Sequence, residues 1–189
     1  MKMWLLGLAV LAITALGEAA VSELAIDEPL PALRGEFLTG RAAVLPQAAS
    51  GRVSLLLLGF SYDSRFQVED WAKRFRQEFG ANPKVTFFEV PMIGGRARLG
   101  KWFIDSGMRR GTPKGDQENV ITVYGGTDSW KQHVGFRDPK SAYLILIDQG
   151  GRCAWRFAGG LDEESYKGSH RRCRDFSPGT DREDLHTPS

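Results

Sequence analysis

The two cysteines of this 189-residue chain, Cys153 and Cys173, are its only thiols and the first candidates for chemistry. A thiolate exchanges disulfides or attacks peroxides, and it forms most readily at a helix start, where backbone N–H groups and the helix dipole lower the thiol pKa. The alternating pattern of residues 152–157 predicts that Cys153 lies on a strand and shares a face with Trp155. We interpret Cys153 as a buried thiol; a disulfide between Cys153 and Cys173 is the alternative.

The turn after the apolar run Val53–Phe60, at the start of the predicted helix, is where such a thiol would be activated, but it reads Ser61-Tyr62-Asp63-Ser64-Arg65. Neither aspartate nor serine exchanges disulfides, so thiol and peroxide chemistry are not expected in this turn. A carboxylate at a helix N-terminus is stabilised by about 0.3–1 kcal/mol. Asp63 therefore has two interpretations: it caps the helix together with Ser64, or it binds a cationic group of a partner, flanked by Phe60 and Tyr62.

A basic segment lies in the middle of the chain, and Asp105 and Asp116 offset part of its charge. The ordinary interpretation of such a segment is a solvated face. The alternative is contact with anionic lipid headgroups or with an acidic partner. Its cations are Arg96, Arg98, Lys101, Arg109, Arg110 and Lys114.

Metal, cofactor and nucleic-acid chemistry find little support in the sequence. The histidines, His133, His170 and His186, do not have the spacing of metal ligands, so we predict no metal site. Gly94-Gly95-Arg96 lacks the dinucleotide and phosphate-loop patterns, and no spacing supports a Ser-His-Asp triad. We predict no cofactor and no catalytic residues. A net charge of +2 is too small to indicate nucleic-acid binding.

The chain is predicted to contain one globular domain between two different ends. Lys2, the apolar run Trp4–Leu16 and the small residues that follow predict a cleavable export signal over residues 1–20, with a retained membrane anchor as the alternative. We therefore expect a periplasmic or secreted protein. The domain is expected over residues 21–168. Residues 169–189 have almost no apolar side chains, so we expect a disordered tail or an artefact of the gene model.

The apolar patterning predicts an α/β fold with a central mixed sheet of about five strands flanked by helices, preceded by a β-hairpin over Phe37–Pro46. Val53–Phe79 reads as a buried strand followed by an amphipathic helix, with Ser64 and Gln67 as its capping box. The other expected strands are Val85–Val90, Val120–Tyr124, Ala142–Ile147 and Arg152–Phe157; the other main helices are Arg96–Ser106, ended by Gly107, and one that starts near Asp162 or Glu163.

Two segments resemble the thioredoxin-like superfamily. Phe37–Phe60 follows the pattern of extracytoplasmic and peroxiredoxin-like members: Leu-x-Gly-Arg, then Leu-Pro, then Gly-Arg before an apolar strand. Tyr143–Arg152 resembles the strand, aspartate, glycine-rich turn and return strand of the same superfamily. The resemblance implies a thioredoxin-like fold, in which the enzymes keep their reactive cysteines in the turn that here spans residues 61–65.

Within that superfamily, the chain is similar to the mitochondrial ATP synthase assembly factors, which are chaperones for the membrane sector of that complex. The resemblance implies a polypeptide client, such as a membrane protein subunit. The shared features are Trp71, the run Gly107–Pro113, Tyr143–Asp148, and Trp155 followed by Gly159-Gly160 and Glu163-Glu164.

Two functions stay open on the sequence. The first is a redox-inactive binding or assembly protein of the cell envelope, including a chaperone for a membrane complex. The alternative is a thiol oxidoreductase or peroxidase-type enzyme that uses Cys153. The candidate partner-binding residues of the first function are Phe60, Tyr62, Asp63, Arg65, Arg109 and Arg110.

Overall fold

A computed structural model describes residues 22–177, which form seven strands and four α-helices. The helices are α1 (Arg65–Phe79), α2 (Lys101–Gly111), α3 (Thr127–His133) and α4 (Glu163–Phe176). The strands are β1 (Leu33–Phe37), β2 (Ala42–Leu45), β3 (Val53–Gly59), β4 (Val85–Pro91), β5 (Ile121–Thr122), β6 (Ala142–Ile147) and β7 (Cys153–Ala158).

The central sheet has four strands in the order β4-β3-β6-β7, with β3 parallel to β4 and antiparallel to β6. The strand predicted at Val120–Tyr124 was expected to be the fifth member of this sheet. It is the short strand β5, which instead joins β1 and β2 in a second, antiparallel sheet of order β2-β1-β5. It lies beside β4, where isolated bridges pair Glu89 with Val120 and Met92 with Val123. The predicted N-terminal hairpin is formed by β1 and β2.

Two apolar clusters lie on opposite faces of the central sheet, and this explains the continuous apolar runs of β3 and β6. One cluster fills the space between the central sheet, the second sheet and α3; it includes Leu56 and Ile145. The other lies beneath α1 and α4 and includes Leu57, Trp71 and Phe75. Both faces of the sheet are therefore covered, as the sequence predicts for β3.

The start of α1 is capped three residues earlier than expected. The Ser64 side chain makes no cap bond to its own helix, and Gln67 Oε1 instead accepts a hydrogen bond from Ala142 N at 3.0 Å. The reciprocal pair forms between Ser61 and Ser64, each side-chain oxygen accepting from the backbone N–H of the other at 3.2 Å. The predicted Ser64–Gln67 capping box is wrong, because Gln67 is used to join α1 to β6.

The second helix begins and ends later than predicted. Residues Gly95–Gly100 form a 3₁₀ segment, and α2 then continues through Gly107 to Gly111. Its inward side is polar rather than apolar: buried Asp105 accepts hydrogen bonds from Tyr124 Oη at 2.6 Å and Lys101 Nζ at 2.7 Å. The large apolar side chains of this segment consequently point into solvent.

The prediction of a tail from residue 169 is wrong for the first part of that stretch. Helix α4 starts at Glu163, as expected, and Asp162 caps it through a reciprocal pair with Ser165, but the helix continues to Phe176. Its inner face is made by Tyr166, Ser169 and Cys173, all buried. Two of these three side chains are small, so the face is too weakly apolar to recognise by pattern. Residues 178–189 and the predicted export signal lie outside the described residues.

Across residues 22–177, each helix is too short or too polar to pass through a lipid bilayer.

Candidate functional site

The turn between β3 and α1 is fixed by the hydrogen bonds of Ser61 and Ser64. Besides the two bonds that cap the helix, Ser64 Oγ donates to the carbonyl of Ser61 at 2.8 Å, and Ser64 is fully buried. Ser61 Oγ donates to the carbonyl of Pro139 at 2.6 Å, which ties the turn to the loop before β6. Gly59 leaves the space that the Ser64 hydroxyl occupies, since an added Cβ would lie 2.9 Å from Ser64 Oγ. The residues above the turn are therefore displayed on a fixed base.

The exposed part of this turn forms an aromatic and cationic surface, which we call the α1-mouth surface: Tyr62, Asp63, Arg65 and Phe66. Tyr62 is 70% exposed and Phe66 is 53% exposed. The Arg65 guanidinium carbon lies 4.1 Å from the Tyr62 ring centre and 4.6 Å from that of Phe66. This cation–π arrangement holds the two rings around one charge and presents them to solvent.

One of the predicted binding residues in this region, Phe60, has a different position from the one expected, and another, Asp63, is left with one of its two interpretations. Phe60 is only partly exposed, and it packs edge-on against Phe136 and Tyr143, with ring centres 5.2 and 5.6 Å away. It supports the turn rather than flanking Asp63 at the surface. Asp63 is exposed and makes no hydrogen bond or ion pair within residues 22–177. Ser61 supplies the hydrogen-bonded cap that Asp63 was one candidate to provide.

Phe66 is the member of the α1-mouth surface that sequence reasoning missed. It lies on the polar side of α1, away from the buried face that contains Val68 and Trp71. The only sequence signal was an aromatic residue out of phase with the apolar period of the helix.

The predicted pair Arg109 and Arg110 lies elsewhere. Arg109 Nε donates to the carbonyl of Leu38 at 2.6 Å, so its side chain is fixed against the end of β1. Arg110 Nη1 donates to Ser106 Oγ at 3.4 Å within α2. In the described part of the chain, no hydrogen bond, ion pair or ring contact links these arginines to the α1-mouth surface. The predicted binding residues therefore form two separate groups, and their binding role stays a prediction.

The two cysteines are free thiols on opposite faces of the central sheet. Cys153 belongs to the cluster between the two sheets, whereas Cys173 belongs to the cluster beneath α1 and α4. The alternative of a disulfide between them is wrong because the sheet separates them. Cys153 also does not share a face with Trp155. A register shift in β6–β7 pairs Ile147 with Cys153 but Leu146 with Trp155, and the extra residue, Ala154, turns the following side chains over.

Both thiols are poorly suited to nucleophilic chemistry. Burial raises the pKa of Cys153 to about 11, an effect that the nearby Arg156 charge only partly offsets. Burial alone raises the pKa of Cys173 to about 12. At pH 7 a thiol with a pKa of about 11 is ionised in only about one molecule in 10⁴.

The histidines within residues 22–177 have structural partners. His170 Nε2 lies 3.0 Å from Glu78 Oε1, and His133 Nδ1 lies 3.0 Å from the carbonyl of Ser22. No group of three histidine, cysteine or carboxylate side chains in this part of the chain is placed to bind a metal ion.

An open groove of about 790 Å³ runs along β7. One end is formed by the loop before β6, including Asp138 and Ser141, next to the Pro139 carbonyl that anchors the turn below the α1-mouth surface. Its other walls include Ile26 from the N-terminal segment and the rings of Trp155 and Phe157. The groove and the α1-mouth surface thus meet at the same loop.

No protein-family model and no curated protein matches the chain. Among solved structures, it is similar to a protein assigned as the thiol:disulfide interchange protein DsbE of Chlorobium tepidum, with 14% identity and a TM-score of 0.55 over 79% of this chain and 96% of that one. It is also similar to the thioredoxin domain of a thiol-disulfide oxidoreductase from Bacteroides vulgatus, with 19% identity and a TM-score of 0.51 over 79% and 98% of the two chains.

A third similar structure is the pneumococcal exposed lipoprotein thioredoxin from Streptococcus pneumoniae, with 13% identity and a TM-score of 0.50 over 75% of this chain and 98% of that one. At these identities the similarity establishes the fold. The prediction of a thioredoxin-like α/β fold is confirmed. The more specific resemblance to ATP synthase assembly factors is not tested by these structures and stays a prediction.

Proposed function

We propose that this protein binds a polypeptide partner through the α1-mouth surface and does no thiol chemistry there. The observation that carries this proposal is the rigid display of Tyr62, Arg65 and Phe66 at a turn that has no cysteine. Tyrosine and arginine are enriched among the residues that dominate binding energy in protein interfaces. Exposed rings fixed around a charge lose little conformational entropy when a partner covers them.

The groove along β7 supports a polypeptide rather than a small ligand. It is open to solvent and has a mixed lining, in which the rings of Trp155 and Phe157 stand beside charged side chains such as Arg156, and one end lies at the loop beneath the α1-mouth surface. We therefore place the client across both features.

The cell envelope is the proposed site of action. The export signal expected over residues 1–20 supports it, as does the fold shared with an exposed lipoprotein thioredoxin. The narrower proposal is an assembly chaperone for a membrane complex, with a membrane protein subunit as client. It rests on the resemblance to the mitochondrial ATP synthase assembly factors.

Photo-crosslinking in intact cells tests this function. A photoreactive residue at position 62 is expected to capture one discrete partner protein. The same residue at position 73 provides the control, since Lys73 is exposed on α1 outside the α1-mouth surface. Adding Phe66→Ala to the position-62 protein is expected to reduce capture by about five- to tenfold, the effect of truncating an aromatic residue important for binding. Equal capture from positions 62 and 73 would contradict the proposal.

A second candidate function is a thiol oxidoreductase or peroxidase-type enzyme that uses Cys153. The descriptions of the similar solved structures favour it better than they favour a redox-inactive protein, since they name thiol:disulfide interchange and oxidoreductase proteins. The burial of Cys153 and the raised pKa of its thiol argue against this function.

Thiol titration separates the two functions. With an aromatic disulfide reagent at pH 7, we expect both thiols of the native protein to react at least about a hundredfold more slowly than a free cysteine, and both to react at once in denaturant. The reason is burial together with the raised pKa values of Cys153 and Cys173.

Rapid reaction of one thiol in the native protein would instead favour the enzyme. Disulfide reduction or peroxide turnover that disappears in Cys153→Ser, but not in Cys173→Ser, would establish it.

A further inference from the structure

The largest apolar side chains that the structure leaves in water lie together at the start of α2. Leu99 is 91% exposed, Trp102 is 80% exposed and Phe103 is 70% exposed. Trp102 and Phe103 lie in the first turn of α2, and Leu99 lies in the 3₁₀ segment that leads into it; we call these three residues the α2 stripe. A contiguous group of exposed apolar residues on a soluble domain indicates a surface that is covered by something else.

The α2 stripe is not part of an incomplete core. The opposite side of α2 is already fixed to the domain by polar contacts: Asp105 binds Tyr124 and Lys101, and Lys101 Nζ also lies 2.9 Å from Glu36 Oε2. Arg109 adds its bond to the Leu38 carbonyl. These contacts set the rotation of the helix, so the stripe is directed outward by the fold itself.

Positive charge continues the stripe along the helix. Arg110 follows Phe103 by seven residues, so it lies two turns along from that ring on the same side. Within residues 22–177 Arg110 makes no ion pair, and its described partner is the Ser106 hydroxyl. Lys101, in contrast, is neutralised by Glu36 and Asp105 on the inward side. The outward face of α2 therefore combines apolar rings with the uncompensated charge of Arg110.

We propose that this face of α2 is a docking surface for an anionic lipid bilayer, with the α2 stripe in the headgroup boundary and Arg110 at the lipid phosphates. Tryptophan, phenylalanine and leucine side chains exposed together, with an arginine next to them, are typical of helices that lie in the membrane interface. A cation held near the surface of an anionic membrane contributes about 1 kcal/mol to binding. The surface is separate from the α1-mouth surface, so the proposal stands without the proposed client.

An environment-sensitive fluorophore on the full chain tests this proposal. Gly107→Cys is a suitable attachment site because a Cβ there meets no atom within 4 Å, and both native thiols are buried. We expect the fluorescence of the label to increase on vesicles of phosphatidylglycerol and phosphatidylcholine, and to change little on phosphatidylcholine alone. Lys73→Cys, labelled in the same way, is the matched control. It also reports any tethering by the apolar segment near the N-terminus, which would bring the chain to vesicles without inserting α2.

Substitutions then identify the groups responsible. Trp102→Ala with Phe103→Ala is expected to lower the partition coefficient of the labelled protein by at least about tenfold, and Arg110→Glu to lower it by about tenfold on anionic vesicles only. A label at position 107 that stays dim on anionic vesicles would overturn the proposal and leave the stripe to a protein partner. Equal brightening at positions 107 and 73, or binding unchanged by the substitutions, would also overturn it.

Discussion

Replacing Trp71 by alanine is expected to lower the free energy of unfolding by about 3–5 kcal/mol, the usual cost of deleting a buried aromatic side chain. Trp71 is fully buried and lies at the centre of an aromatic cluster. Its ring centre is 6.3 Å from that of Trp155, 5.7 Å from Phe157 and 6.2 Å from Tyr166. These contacts join α1 to β7 and α4 through one side chain.

The indole of Trp71 also has a polar role, because its Nε1–H donates to the carbonyl of Gly159 at 3.2 Å. Trp71→Phe keeps most of the ring packing but leaves this carbonyl without its donor. We expect the phenylalanine variant to cost about 1–3 kcal/mol, less than alanine. Since domains of this size are stable by only about 5–15 kcal/mol, either change is readily measured by urea unfolding followed by circular dichroism.

Trp102→Ala is the matched control for Trp71, because it removes the same side chain from an exposed position. We expect it to change the free energy of unfolding by no more than about 0.5 kcal/mol. Similar losses for the two tryptophans would contradict the assignment of Trp71 to the core and of Trp102 to the surface. The control also shows that effects of Trp102 substitutions on vesicle binding do not come from unfolding.

The fold was accessible from sequence where apolar period and burial agree. β3 and β6 are apolar on both faces, and the central sheet does lie between two clusters, as the runs of leucine and isoleucine predict. α1 was equally clear because Val68, Trp71 and Phe75 repeat at helical spacing and are all buried. Strong local patterns and the tertiary structure give the same answer in these elements.

The errors arise where tertiary contacts decide between local alternatives. Gln67 is a suitable residue for a capping box, but its side-chain oxygen accepts a hydrogen bond from the backbone N–H of Ala142 instead. The reciprocal pair at the start of α1 is formed by Ser61 and Ser64. The strand alternation of β7 is interrupted by a bulge that only the register with β6 shows. The inner face of α4 contains two small buried side chains, Ser169 and Cys173, so the helix is packed against the sheet without a strong apolar pattern.

The sequence identified the candidate site directly, as the turn at residues 61–65 that has no cysteine. The shape of the site could not be predicted from the sequence. The exposure of Phe66 and the separation of Arg110 from Tyr62 depend on where α1 and α2 are placed on the sheets. The structure also draws attention to a carboxylate that no sequence pattern indicates, Glu89. The strand alternation of β4 places its side chain on the side of the sheet that faces α1.

The Glu89 carboxyl is expected to make the stability of the protein fall as the pH rises from about 4.5 to 7. Burial is the main reason that its pKa is raised from the ordinary 4.5 to about 7; the charges of Glu69 and Asp116 add to the increase, and Arg76 opposes it. Between these two pH values the folded state holds a proton that the unfolded state has released. The contribution of Glu89 to the free energy of unfolding is therefore fully present below pH 4.5 and is lost as the pH rises through 7.

Glu89→Gln removes this titration while keeping the shape of the side chain, so its benefit must depend on pH. Relative to wild type, the variant is expected to gain up to about 3 kcal/mol in the free energy of unfolding between pH 4.5 and pH 8, since each unit of pKa shift corresponds to about 1.4 kcal/mol. Urea unfolding of both proteins across this range measures the difference and cancels the titration of the other groups. Asp70→Asn is the control, because Asp70 is also exposed on α1 but does not contribute to the shift of Glu89; its difference from wild type should stay within about 0.5 kcal/mol at every pH. A difference for Glu89→Gln that does not change with pH would mean that the Glu89 carboxylate is as well solvated in the folded protein as in the unfolded chain.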